Sequence, residues 1–101
     1  MEVSISTLKA LASGRRLQIL EWLKHPRRHF PPQVDGDLRK DGVCADFIRG
    51  KLGVSAATAS QHLRLLVQAE LLIPTPRRGW TFYRRNEVAI ARFVRSLERH
   101  L

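Results

Sequence analysis

The sequence predicts a single, mainly α-helical domain that carries one β-hairpin. Apolar residues recur at helical spacing along most of the chain, two of these runs flank a tight turn at residues 53–55, and a β-branched and aromatic stretch at residues 80–83 follows a Pro-Arg-Arg-Gly tip. At 101 residues and 44% apolar, the chain has the size and composition of one globular core. Its longest apolar runs, such as Leu71-Leu72-Ile73, fall far short of the roughly 20 residues of a membrane span. The opening Met1-Glu2-Val3-Ser4 has neither the basic stretch nor the apolar block of an export signal, so a cytoplasmic protein is expected.

Each element follows from local pattern. In residues 3–12, Val3, Ile5, Leu8 and Leu11 have helical spacing, and Ser13-Gly14 ends the run. From Arg15 to Lys24, Leu17, Ile19, Leu20, Trp22 and Leu23 supply an apolar stripe that His25-Pro26 closes. Residues 25–42 are rich in proline, glycine and charge without period and read as an exposed loop, long for a domain of this size. A helix-turn-helix is expected over residues 44–69. Cys44, Phe47, Ile48 and Leu52 mark its first helix, which Gly53 ends because glycine accepts the left-handed conformation at low cost. Ser55 reads as the cap of the second helix, where Ala59, Leu63, Leu66 and Val67 form the buried stripe. A hairpin occupies residues 71–85. The last helix, 86–101, has Ile90, Phe93, Val94, Leu97 and Leu101 on one side and Arg92, Arg95, Glu98 and Arg99 on the other.

Charge points to the partner. Eighteen Lys and Arg against nine Asp and Glu give +9, which favours a polyanion. Arg49, Lys51, Arg64, Arg77, Arg78, Arg84 and Arg85 against the single acid Glu70 place +6 of that charge between residues 49 and 85. Helix, tight turn, helix and basic hairpin is the order of a winged helix-turn-helix, whose second helix enters the DNA major groove. On that helix Ala57, Thr58, Ser60, Gln61, His62 and Arg64 are the candidate DNA contacts, with no acid between Asp46 and Glu70 to repel phosphate. Gln bonds adenine through two edge atoms, Arg bonds guanine, and Thr offers a methyl to thymine. Arg77 and Arg78 at the hairpin tip would meet the sugar-phosphate backbone, where they add affinity with little sequence reading. Trp80 and Tyr83 read as packing residues.

Residues 54–72, VSAATASQHLRLLVQAELL, followed by RRGWTFYRRN, resemble the ArsR/SmtB family of bacterial winged-helix repressors, and the opening LKALASGRRLQILEWL is similar to that family's first two helices. The resemblance runs from about Leu8 to Arg85 and includes the core Ser60, Gln61, His62 and Leu63. It implies a homodimeric transcription regulator on a double-stranded, inverted-repeat DNA operator, with the first and last helices forming the dimer interface. Leu8, Ile90, Phe93, Val94 and Leu97 are the candidate interface residues.

The departures from the family pattern carry weight. Arsenic and cadmium sensors of the family hold paired cysteines on the helix before the turn, where this chain has Cys44 alone. Zinc sensors use Asp and His pairs on the last helix, where only Glu98 and His100 stand near the end. His25, His29, Asp35, Asp37, Asp41 and Cys44 surround one loop without a metal-ligand spacing. No metal and no cofactor are therefore expected, and no inducer is named by the sequence. Cys44 is a candidate redox sensor, set against the alternative that it fills core beside Val43, Phe47 and Ile48. The family usually has glycine where Glu70 stands, at a position that tends to need a positive φ. With one thiol and no adjacent histidine to activate it, an enzyme is not expected. The rival reading is a winged-helix module that docks protein or RNA without operator specificity.

Overall fold

The computed structural model describes residues 3–33 and 36–101, so Met1, Glu2 and the loop acid Asp35 lie outside the described residues. Nine elements follow in chain order: α1 (Ile5–Leu11), α2 (Gly14–Lys24), α3 (Pro26–His29), β1 (Val43–Cys44), α4 (Ala45–Leu52), α5 (Ala56–Gln68), β2 (Leu72–Arg77), β3 (Trp80–Arg85) and α6 (Glu87–His100). This is a winged helix-turn-helix, with six helices among the described residues and a small antiparallel sheet in the order β1-β3-β2.

Four helices begin with the same device. Each helix leaves its first amide donors without intrahelical partners, and a short polar side chain just before the helix accepts from one of them. Ser4 accepts from the Thr7 amide at 3.2 Å, Ser13 from Arg16 at 3.3 Å, Ser55 from Thr58 at 3.1 Å and Asn86 from Ala89 at 3.2 Å. The apolar faces set by these starts meet in one core. Ile19, Leu20 and Leu23 of α2, Ile48 of α4, Leu63 and Leu66 of α5, and Leu71, Leu72 and Phe82 of the sheet region are all buried.

The 25–42 segment departs from the expected exposed loop. It opens with the single turn α3, started by Pro26, and then sends two apolar side chains inward, Phe30 and Leu38. Phe30 meets Trp22 edge-on at 6.3 Å and stacks on Phe47 at 6.5 Å, which ties the segment to α2 and α4. The Asp37 carboxylate accepts from the amides of Arg39 and Lys40 and closes a tight turn. These bonds hold its pKa below the ordinary carboxylate value, with the charges of Arg27 and Lys40 adding to them.

Sequence pattern did not announce β1, which exists only through its partner β3: Val43 faces Tyr83 and Cys44 faces Phe82. Its outer edge is covered by one side chain. The Gln33 amide donates to the Gly42 carbonyl at 3.0 Å and accepts from the Cys44 N–H at 2.7 Å, in the manner of a neighbouring strand. Gly42 has φ +106, and a Cβ there would lie 2.3 Å from the Tyr83 carbonyl oxygen. Only glycine allows the two strands to approach at that point.

Candidate nucleic-acid interface

The tight turn between α4 and α5 is set by Gly53, which ends α4 at φ 69, ψ 34, and by Ser55, whose hydroxyl starts α5. With Ala59, Leu63 and Leu66 turned into the core, the opposite face of α5 exposes Ala57, Ser60, Gln61 and Arg64. Their i, i+3, i+4, i+7 spacing makes one stripe along the helix. It begins with a small residue that lets the backbone come close to a partner and ends with a cation. No described acid pairs with Arg64.

Two of the expected contacts on α5 are differently engaged. Thr58 is half-buried, and its hydroxyl oxygen accepts from the Ser55 hydroxyl at 3.0 Å, so it supports the helix start. His62 is half-buried against α2, where its Nδ1 lies 3.1 Å from a terminal guanidinium nitrogen of Arg16. Desolvation, then the charges of Arg16 and Arg15, hold its pKa below the ordinary 6.5. Both effects favour the neutral imidazole.

The hairpin formed by β2 and β3 carries the second cationic element. Arg77 pairs with Trp80 across a two-residue turn in which Arg78 has φ 47 and Gly79 φ 81. Positive φ at both turn residues matches the twist of the strands and lifts the Arg78 side chain clear at the tip. Pro74 and Pro76 sit in β2, an edge strand of the sheet, where a missing N–H is tolerated. Arg77 is less free than expected. Its guanidinium is 2.9 Å from the Asp41 carboxylate, an ion pair between the wing and the 37–41 turn.

Arg85 is structural. Its guanidinium holds Glu87 through two hydrogen bonds of 2.9 and 3.0 Å and donates to the Leu20 carbonyl at 3.0 Å, joining the wing to α2 and α6. Trp80 is exposed at 46%, against the expectation that it packs, while half-buried Tyr83 does pack against the core. Burial raises the Tyr83 pKa above the ordinary 10.

The remaining candidates fall into two groups. Leu8 and Val94 are exposed, whereas Phe93 and Leu97 are half-buried and Ile90 packs on the protomer's own core. Cys44 is 5% exposed and caps α4 from outside the helix, rather than opening it. Among the described residues, no three His, Cys, Asp or Glu side chains come together as metal ligands, and no helix is long and apolar enough to cross a membrane.

No protein-family model matches the chain. An HTH-type transcriptional regulator of Bacillus subtilis, YbzH, is 42% identical over 94 residues, which span 93% of this chain and 94% of YbzH. The homodimeric winged helix-turn-helix DNA-binding domain of a possible ArsR-family regulator from Mycobacterium bovis superposes with a TM-score of 0.64 at 28% identity, covering 88% of this chain and 69% of that one. HlyU from Vibrio cholerae gives a TM-score of 0.61 at 27% identity, with 86% of this chain and 80% of that one covered. The relatives from Bacillus subtilis and Mycobacterium bovis are a transcriptional regulator and a DNA-binding domain. The chain belongs to the helix-turn-helix-type transcriptional regulators and has their winged DNA-binding fold.

Proposed function

We propose that the protein is a homodimeric repressor of the ArsR type that binds an inverted-repeat operator, with α5 in the major groove and the wing on the adjoining backbone. The observation that carries this reading is the acid-free exposed stripe of Ala57, Ser60, Gln61 and Arg64 on α5, followed in the chain by a hairpin with exposed Arg78 at its tip. Gln61 and Arg64 supply bidentate base contacts, and Arg78 supplies a backbone contact. The homodimer rests on exposed apolar side chains of the terminal helices, Ile5 and Leu8 on α1 and Val88 and Val94 on α6, and on the homodimeric relative from Mycobacterium bovis. The repressor sense rests on the family resemblance. Two copies of α5 would then meet half-sites about one helical turn, roughly 34 Å, apart.

Selecting genomic fragments on the purified protein and measuring affinity for the winner and for random duplex tests the reading. Gln61→Ala should cost about 1 to 3 kcal/mol on the selected site and little on random DNA, whereas Arg78→Ala should weaken both. Equal affinity of the unaltered protein for its own promoter fragments and for random duplex would instead mark an interaction module without operator specificity.

A further inference from the structure

Arg16 lies on α2, outside the α5 stripe, and its guanidinium is fixed at three points. Nε donates to the Ala10 carbonyl at 2.6 Å, one terminal nitrogen donates to the Lys9 carbonyl at 3.2 Å, and the other lies 3.1 Å from Nδ1 of His62. Both carbonyls belong to the last turn of α1: that of Lys9 also accepts from the Ala12 amide at 3.3 Å, whereas that of Ala10 lies where helix geometry supplies no intrahelical donor. The guanidinium, if swung away, would take the donor from the Ala10 carbonyl. It has only N–H groups to offer, so the imidazole nitrogen it meets must provide a lone pair. A ring with a lone pair on Nδ1 carries its one proton on Nε2, on the side turned away from Arg16. A second proton on Nδ1 would set N–H against N–H and cation against cation.

We propose that Arg16 is a positioning residue for DNA reading, which fixes half-buried His62, next to Gln61 of the exposed stripe, as the neutral Nε2–H imidazole, so that whatever contact His62 makes with DNA is made as a hydrogen-bond donor. The proposal rests on the reading of α5 as the DNA-contacting helix. Its consequence is a chemical selection: a donor in the major groove fits guanine O6 and N7, thymine O4 or adenine N7 and is refused by the amino groups of cytosine and adenine. The lowered pKa of His62 accords with this. The charges that depress it are Arg16 and Arg15 of α2. Asp46, Arg49 and Lys51 of α4 and Arg77 of β2, on the other elements packed against α5, do not bear on it.

Two measurements test the assignment. Two-bond nitrogen–proton NMR of the free protein above pH 6.5 should show His62 in the neutral Nε2–H form, and Arg16→Met should move its pKa upward toward the ordinary histidine value, with burial and Arg15 still opposing the charge. Operator affinity should change with pH in Arg16→Met, tightening several-fold as pH falls from 8 to 6 when the freed imidazole gains charge beside phosphate. The double variant Arg16→Met/His62→Gln should lose that pH dependence, which separates His62 from His25, His29 and His100. Arg16→Lys, which keeps a cationic donor, should restore part of the unaltered behaviour. A His62 that carries its proton on Nδ1, or titrates normally in the unaltered protein, would overturn the proposal, as would a loss of affinity in Arg16→Met that is the same at every pH. If the unaltered protein bound no DNA at all, the reading of α5 would fail, and the NMR measurement would still decide the Arg16–His62 lock alone.

Discussion

Glu70 has φ 62, a left-handed conformation that a side chain with a Cβ adopts at a cost. The chain accepts it because the end of α5 is closed around it. The Glu70 amide donates to the Val67 carbonyl at 2.9 Å and the Leu71 amide to the Leu66 carbonyl at 2.9 Å, the paired bonds of a Schellman end, while Leu66 and Leu71 share the core. Glu70→Gly should therefore stabilise the protein by about 1 kcal/mol, a rise of about 4 to 8 °C in Tm by calorimetry; a fall would mean that the carboxylate has a compensating role. His62 carries a pH signature in stability. Folding lowers its pKa below 6.5, so the unfolded chain takes the proton first as pH falls through that value. The native state keeps this contribution above pH 6.5 and loses it below. His62→Gln should accordingly show a smaller drop in Tm between pH 7 and about 5.5 than the unaltered protein. At this scale sequence reading succeeded where a residue's partners are local. Gly53, Ser55 and the unfavourable Glu70 are all explained by their own helix ends, whereas His62 is constrained by Arg16, separated by 46 positions in sequence.

Elements show the same division. α4, the turn and α5 are legible because apolar spacing and end signals lie within one continuous stretch, and the wing is legible from its aromatic strand and Gly79. The stripe of Ala57, Ser60, Gln61 and Arg64 follows from helical periodicity alone. β1 and the ordered 36–42 turn do not. Two residues have no strand period, and Phe30 and Leu38 are single apolar side chains in polar surroundings whose burial depends on α2, α4 and β3 folding around them. The strand is nonetheless strictly specified once those neighbours exist. Gly42→Ala would drive a methyl into the Tyr83 backbone, and chemical denaturation should show a loss of more than about 3 kcal/mol. A loss below about 1 kcal/mol would mean that β1 can separate from β3 while the rest of the domain stays folded.

For the molecule as a whole, the proposed dimer and the net charge make the predictions that solution measurements can check. Val94 is exposed at 46% and takes no part in the core, so Val94→Asp should leave the protomer folded while breaking a dimer built on α6. Sedimentation should report monomers, and operator affinity should fall by about a hundredfold as the second half-site stops acting in concert with the first. Persisting dimers would place the shared surface elsewhere. The net charge of +9 overstates what the wing can deliver. Arg77 arrives already neutralised by Asp41, which acts as a counterion built into the chain. An arginine that must leave a carboxylate before meeting a phosphate gains little from displacing cations condensed on DNA. Asp41→Asn should therefore tighten binding to duplex of any sequence and steepen the fall of log K with log salt by about 0.9, the increment of one added phosphate contact. An unchanged slope would show that Asp41 aims Arg77 at the backbone instead of restraining it. With the wing on the DNA backbone as proposed, the intact pair would buffer binding against ionic strength and make its salt sensitivity smaller than the arginine count of the wing implies.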